Sequence, residues 1–434
     1  MQKRYLTIAF AYVGIIVGAG LSSGQDILQY FLSFGTIGFA GVILLAVLNV
    51  VFAKIILSLG CYYQADNHSE VLEQITHPHI HKFIDAVIVF SSFVMGFVML
   101  AGAGANLNQI TGLPEWLGAV ICALLVITVA FLDFDRITKA LGVFTPIAIV
   151  MIVIIAIYSL TQGPFDMDYL DSMARTIKPA MPNVWLAGIN YFTICALAGV
   201  SMAFILGGSV VRIGMAERGG VLGGALIGAI VILASIALFL NMGDVKDSNM
   251  PMLQIVENIH PILAVIYAIV IYSLIFNTAF SLFYSTAKRF SPTDDRKMKM
   301  ILIGVVLAGL VCSFGGFKAL IGQMYPILGY VGMVLLVVLL IAWIREKKNI
   351  IREKNIRRRM LRLSIGKHYD DYDYTKRHEI LYEKLSEASV VDDEQIQEGI
   401  DRLGKEIVEK VDDLEPYVEN NLPLPEDNKD SGKS

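Results

Sequence analysis

Ten runs of mostly apolar residues, at 6–33, 36–62, 83–108, 115–132, 138–160, 184–207, 219–241, 261–285, 299–314 and 325–344, follow one another with only short polar joints between them. Each approaches the roughly 20 residues that a helix needs to cross a bilayer. A helix also satisfies its own backbone polar groups there, which a lone strand cannot do. With 55% hydrophobic and 17% charged residues, a soluble core of this length could not hide the apolar surface. The expected fold is therefore an all-α membrane protein of about ten spans. The ninth run is the shortest, with Gly315 and Gly316 at its outer end.

Basic residues near the span ends set the orientation. One side carries Lys3, Arg4, Lys82, Arg136, Lys139, Arg212, Arg218, Lys288, Arg289, Arg296, Lys297 and Lys299; the other carries Arg175, Lys178, Lys246 and Lys318. The bias puts both termini in the cytoplasm of a multi-pass protein of the cell membrane, with an even number of spans. The opening MQKR and its apolar run imitate a signal peptide, but without a convincing cleavage site, and are read as the first helix. Cys61, Cys122, Cys195 and Cys312 sit singly in separate runs, which suits neither disulfides nor a metal site.

Two joints should be helical. Asn67 caps NHSEVLEQI on the inner side, and Ser248 or Asn249 caps SNMPMLQIVENI, with Pro251 in its first turn, as a lid on the outer side. After Trp343 the composition changes, so residues 1–345 form the membrane core, with repeats at about 1–160 and 184–345, and 346–434 a soluble tail. The tail opens with the cationic REKKNIIREKNIRRRMLR, read as an anchor to anionic lipid headgroups at about 1 kcal/mol per basic residue, rather than to nucleic acid. Asp392 and Asp393 then start an amphipathic helix with Ile396, Ile400, Leu403, Ile407, Val411 and Leu414, which packs on itself, on the core or on another protein. From Pro423 the polar end reads as disordered.

The first span is unusual. Gly14, Gly18, Gly20, Gly24, Ser22 and Ser23 crowd GIIVGAGLSSGQD, which ends in Gln25 and Asp26. Small residues let helices pack closely, but an ionisable residue inside a span needs a cavity or a partner. Unwinding at VGAG would free backbone groups near the midplane for a solute or a cation. The sixth span repeats the pattern: setting Tyr12 on Tyr191 aligns Ala19 with Ala198, Gly20 with Gly199 and Ser22 with Ser201. Five spans separate the two, so the halves are inverted. Paired glycine-interrupted spans in inverted halves point to a transporter site. The candidate solute residues are Gly18, Ala19, Gly20, Ser22, Asp26, Tyr191, Cys195 and Gly199.

GIIVGAGLSSGQ resembles the first helix of the amino acid–polyamine–organocation superfamily, and the ten-span layout resembles its LeuT-type fold of two inverted five-helix repeats. Over residues 1 to about 345 the chain is similar to the YkvI-type bacterial membrane proteins. The resemblance implies a bundle of spans 1, 2, 6 and 7 rocking against a scaffold of spans 3, 4, 8 and 9, and a coupling cation between spans 1 and 8. In FNTAFSLFYSTAKR of span 8, Asn277, Thr278 and Ser281 share a face. With carbonyls near Val17 and Gly20 they could hold Na⁺, a hard cation that selects oxygen ligands; ordinary hydrogen bonds between helices, at roughly 0.6 kcal/mol each, are the alternative. A proton on Asp26 is a second driver.

Other polar features read more simply. Lys54 and Asp85 should snorkel or pair with each other, Gly220, Gly224 and Gly228 form a packing seam, and HPHIH lacks a carboxylate or thiol to complete a metal set. No nucleotide-binding loop, nucleophile elbow or zinc-protease motif appears, which argues against an enzyme. The expected function is secondary transport of a small solute, an amino acid or a related compound, by alternating access; the alternative is a solute-sensing receptor or regulatory subunit that signals through its tail.

Overall fold

The computed structural model describes residues 2–65, 68–131, 143–291, 293–369, 372–390 and 393–409. Asn67, Arg136, Lys139, Asp392, Val411, Leu414 and the end from Pro423 lie outside them.

The glycine-rich first span is three pieces. Helix α1 (Gln2–Ile16) stops at Val17 and Gly18, α2 (Ala19–Ser23) ends at Gly24, and α3 (Gln25–Tyr30) leads into a 3₁₀ turn over Leu32–Ile37. Gly24 adopts φ 81°, and a Cβ there would lie 2.7 Å from Met252 Cγ, so both conformation and space require glycine. Then follow α4 (Gly38–Tyr63), α5 (His68–Ile75), α6 (Pro78–Thr111), α7 (Glu115–Val129), α8 (Phe144–Thr161), α9 (Met167–Ala174) and α10 (Val184–Gly208). The second half continues with α11 (Ile213–Leu240), the short α12 (Met242–Val245), α13 (Pro251–Ile259), α14 (Pro261–Phe290) and α15 (Asp295–Ser313). It ends in α16 (Phe317–His368), α17 (Lys376–Glu387) and α18 (Asp393–Val408).

Among the described residues, seven helices are long and apolar enough to cross a membrane. The three other expected crossings are the broken first span, the 15-residue α7, and α15, whose first turns carry Arg296, Lys297 and Lys299. Exposed Ile43, Val47 and Val51 on α4, Ile262, Ile266 and Ile269 on α14, and Val337, Leu340, Ile341 and Ile344 on α16 recur every three or four residues. Such one-sided apolar faces are what a bilayer covers.

The most extensive packing divides the helices into two groups. One joins α4, α10, α11 and α1; the other joins α6 with α14, α7 and α15. The expected glycine seam holds the first group together: a Cβ on Gly220 would lie 2.7 Å from Ala53 O, on Gly224 2.5 Å from Asn49 O, and on Gly228 2.6 Å from Ala46 Cβ. Here the α11 and α4 backbones touch with nothing between them. Across the end away from the tail, α13 buries Met252, Leu253, Ile255 and Val256. Its cap is Met250 rather than Ser248 or Asn249; the Ser248 hydroxyl accepts from Met250 N–H, and the Asn249 amide donates to Glu115.

Three expectations change. The sixth span, α10, does not unwind at its glycines: it is one helix, and a Cβ on Gly199 would lie 2.7 Å from Ile16 Cδ1 and 3.1 Å from Ile15 Cγ2. That glycine admits the end of α1, which is the packing alternative. Lys54 and Asp85 do not pair. Asp85 meets Arg289 at 2.7 Å, and the Lys54 ammonium stands 5.6 Å from the centre of the Trp343 ring. Finally, α16 runs unbroken through position 345 into the tail.

There the basic helix is not uniformly a lipid-facing surface. Arg357 is 1% exposed and its guanidinium donates to the carbonyls of Cys61, Tyr62 and Val211. The tail also has its own core, in which Ile356, Met360 and Leu363 of α16 pack with Leu381 and Leu385 of α17 and with Ile396, Ile400, Leu403 and Ile407 of α18. The amphipathic stripe thus turns inward on the tail itself.

Candidate functional site

A cavity of about 740 Å³ lies at the break between α1 and α2, walled by the two helix groups. Val17, Gly18, Gly20, Asp26, Tyr191, Cys195, Asn277, Thr278 and Ser281 all line it. Ala19 begins α2 between two of these wall residues. Ser22 and Gly199 are not in the wall. Ser22 is fully buried: its hydroxyl donates to Gly18 O at 3.2 Å and its own carbonyl accepts from Tyr267 at 2.8 Å. Gly199 faces Ile15 and Ile16, as above.

Asp26 sits in the first turn of α3, just past the left-handed Gly24, with its carboxylate turned back against Gly20. It is 3% exposed. Its Oδ2 accepts from the Tyr191 hydroxyl at 2.9 Å, and Oδ1 has no hydrogen-bond partner among the described residues. Tyr191 is held by aromatic neighbours, with Tyr30 at 5.2 Å and Phe31 edge-on at 5.6 Å between ring centres. Tyr30 donates to Asn190 Oδ1, and Asn190 in turn donates to Pro326 O, which ties α3 and α10 to α16. A buried carboxylate oxygen left without a donor is costly, so it marks a place where a ligand's N–H or O–H gains most.

On the α14 wall, Asn277 Oδ1 also lacks a partner, and the Thr278 hydroxyl, which donates to Leu274 O, stands 3.6 Å from where a Gly18 Cβ would be. The Gly20 carbonyl is already engaged, accepting from Gly24 N–H and from the Ser23 hydroxyl. No cluster of three His, Cys, Asp or Glu that could hold a metal occurs among the described residues.

Sequence reading did not find Asn49, Met95, Met99, Thr145 or Tyr325, which also line the wall. The spacing of Met95 and Met99 and the Tyr325–Pro326 pair inside a span were the available signals. The charge of the wall is simple: among the described residues that line it, Asp26 is the one acidic residue and none is Lys, Arg or His. The wall is also asymmetric. Its exposed residues, Gly14, Ala198 and Met202, lie on the side that bears the tail, Gly14 just before the break at the end of α1 and the other two in the second half of α10. The opposite end, with Asp26, Tyr191 and Tyr325, is buried beneath α13 and the Gln29 amide's bond to Lys318 O.

No family model matches the chain. Two proteins of Bacillus subtilis (strain 168) are similar to it. One, named Uncharacterized membrane protein YkvI, is 24% identical over 327 residues, 75% of this chain and 92% of the relative. The other, Uncharacterized protein YyaD, is 23% identical over 335 residues, 77% and 96% of the two chains. Among solved structures, MhsT in complex with L-phenylalanine matches with a TM-score of 0.54 at 17% identity, covering 92% of this chain and 98% of MhsT. Mhp1, a nucleobase-cation-symport-1 family transporter in a closed conformation with bromovinylhydantoin bound, matches at 0.53 and 13%, covering 93% and 91%. The fold is thus the all-helical LeuT-type transporter fold in a membrane protein.

Proposed function

We propose that this protein is a secondary transporter of a small solute bearing an amine or similar cationic group, an amino acid or a related compound, which it moves across the cell membrane by alternating access. The observation that carries this reading is the Asp26 oxygen at a helix break that, among the described residues, has no partner, in a wall whose described residues include no Lys, Arg or His. A cavity of about 740 Å³ is within the range of small-molecule sites. An ammonium there would donate to Asp26 Oδ1, while the apolar wall covers the rest of the solute. Spans 1, 2, 6 and 7, which correspond to α1–α3, α4, α10 and α11, would rock as a bundle against α6, α7, α14 and α15.

The drive is Na⁺ or a proton. Asn277 Oδ1, lacking a partner among the described residues and lining the same cavity as Val17, Thr278 and Ser281, supports a Na⁺ site; the Gly20 carbonyl, with both lone pairs engaged, is the weakest of the expected ligands. Asp26 is the candidate proton carrier. Both termini lie in the cytoplasm on this reading, and exposed Lys347, Lys348 and Arg352 contact anionic lipid headgroups. The test is uptake of labelled amino acids and amines into proteoliposomes, with and without a Na⁺ or proton gradient. Gradient-stimulated uptake that Asp26→Asn abolishes is expected; equal uptake by protein-free vesicles for every solute would defeat the proposal. A second reading, a solute-sensing receptor that signals through the tail, is favoured by one observation: the tail is folded and docked on the core. Solute binding without uptake would select it.

A further inference from the structure

The tail does more than follow the last span. Arg357, on the cytoplasmic continuation of α16, reaches the carbonyls of Cys61 at 2.8 Å and Tyr62 at 2.9 Å, at the end of α4, and Val211 at 3.2 Å, in the turn between α10 and α11. The last carbonyls of a helix have no partner within it, and a cation at that end also meets the favourable pole of the helix dipole. Arg357 thus caps α4. Its Nε is paired with Glu353 at 2.7 Å, and both side chains are 1% exposed. Glu353 is completed from the far side of the tail, by the Ser389 hydroxyl at 2.6 Å and the Val390 N–H at 3.3 Å, just beyond α17. Next to Glu353 in the chain, Lys354 pairs with Glu217 at the start of α11. Over the α10–α11 turn lies α18, where a Cβ on Gly399 would be 2.7 Å from Val211 Cγ2.

All the contacted elements, α4, the α10–α11 turn and α11, belong to one of the two helix groups. They are touched at the end toward which the exposed part of the cavity wall faces. We infer that the tail is a latch: docked, it holds α4, α10 and α11 in the arrangement whose cavity opens toward the tail and is sealed at Asp26, and it must release for the cavity to open on the other side. This rests on the alternating-access reading, because only a protein with two arrangements of these helices gives a latch something to hold. The latch is discrete. Arg357 and Glu353 part inside the socket only at high cost, since either would be left buried without its counter-charge, so the tail leaves as a unit or stays. By linkage, whatever shifts the cavity toward its other arrangement loosens the tail to the same degree, and a partner that captures the free tail shifts the cavity.

A strap that merely added stability would make a different prediction, and native cysteines distinguish the two. Cys61 is buried in the socket under Arg357, and Cys195 is half-buried in the cavity wall. In the full-length protein, one form keeps only Cys61 and another only Cys195, with Ala or Ser at the remaining cysteines. Each is reacted in sealed vesicles with an impermeant maleimide applied to one face at a time. With the native tail, Cys61 should be inert and Cys195 should react from the tail side. In Arg357→Gln, and to a lesser extent in Ser389→Ala, Cys61 should react at least tenfold faster, while Cys195 labelling from the tail side falls at least threefold and labelling from the opposite face appears. Ser389→Ala carries the test should Arg357→Gln misfold. The latch is overturned if Cys61 becomes reactive while the sidedness of Cys195 is unchanged, or if Cys61 stays inert in both variants. No solute is used, so failure of the amine-uptake experiment leaves this test standing. Equal labelling of Cys195 from both faces in the native protein would count against alternating access itself.

Discussion

Asp26→Asn and Tyr191→Phe perturb the same 2.9 Å hydrogen bond and should move in opposite directions. Asparagine keeps a carbonyl oxygen for the Tyr191 hydroxyl and removes the charge whose second oxygen has no partner. Phenylalanine keeps the ring between Tyr30 and Phe31 and strands both carboxylate oxygens. Hydrogen bonds to charged groups contribute about 1.5–3 kcal/mol, so a solute ammonium that loses Asp26 should bind roughly 10- to 150-fold more weakly, at about 1.4 kcal/mol per tenfold. Stability should behave differently: Asp26→Asn should leave the melting temperature in detergent unchanged or raise it, whereas Tyr191→Phe should cost about 1–3 kcal/mol. In the double variant that cost should shrink, because the group left stranded is gone. The assays are thermal unfolding at neutral pH and equilibrium binding of an amine identified by uptake. Wild-type affinity and a wild-type pH profile in Asp26→Asn would remove this residue from the site.

Gly224→Ala should destabilise the protein by at least about 1–3 kcal/mol, the range for overpacking, since the new Cβ would meet the Asn49 backbone; Gly199→Ala, opposed by the ends of flexible Ile15 and Ile16 side chains, should cost less, and equal losses in thermal unfolding would refute the close-seam account. Asp171 receives the Arg175 side chain at 2.6 Å and Thr36 N–H at 2.7 Å, and these hold its carboxyl below the usual carboxylate range. Its contribution is therefore complete above pH about 4, and is lost as pH falls through its own lower value; Asp171→Asn should lower the melting temperature at pH 7, with the gap closing in acid, and a pH-independent gap would contradict this. Cysteines introduced at Lys246 and beside Asp166 should react with an impermeant reagent in intact cells and one at Lys288 should not; labelling at Lys288 would reverse the topology. Truncation after Ile350 removes Arg357 and bares the carbonyls of Cys61, Tyr62 and Val211, so it should reduce stability in detergent, and an unchanged melting temperature would show that the socket contributes nothing.

Much of the membrane core is readable from residues alone because apolar runs of span length admit few structures. The break at Val17 and Gly18 was legible too, since glycines and an ionisable residue coincide there. The same composition misleads in α10: a glycine that admits a neighbouring helix and one that lets the backbone unwind look alike in one dimension, and only the Ile15 and Ile16 side chains against Gly199 decide between them. Met95, Met99 and Asn49 were missed because a wall assembled from several helices leaves no local pattern. The tail shows a similar limit. Charge density alone suggested a lipid anchor, but Ile350, Glu353, Arg357, Met360 and Ser364, all buried, recur every three or four residues. A stripe that mixes apolar residues with an oppositely charged pair is the mark of a docked helix face, and it was present in the sequence.

Helix α16 has a mechanical consequence. It is 52 residues long without a break in its helical assignment, and only its first half is apolar. From Trp343 to His368 it extends about 25 residues, or about 38 Å at ~1.5 Å per residue, and it is braced near its base by the Asn190 amide on Pro326 O and by the Thr193 hydroxyl on Gly329 O. A rigid rod pivoting at that base, about 40 residues or about 60 Å from His368, amplifies angle into distance: a tilt of about 10° inside the bilayer would sweep its far end by roughly 10 Å for a ~1.5 Å rise per residue. A pair of fluorophores, one at the His368 end and one on the fixed α6–α7 hairpin, would then register motions of the buried helices too small to resolve where they originate.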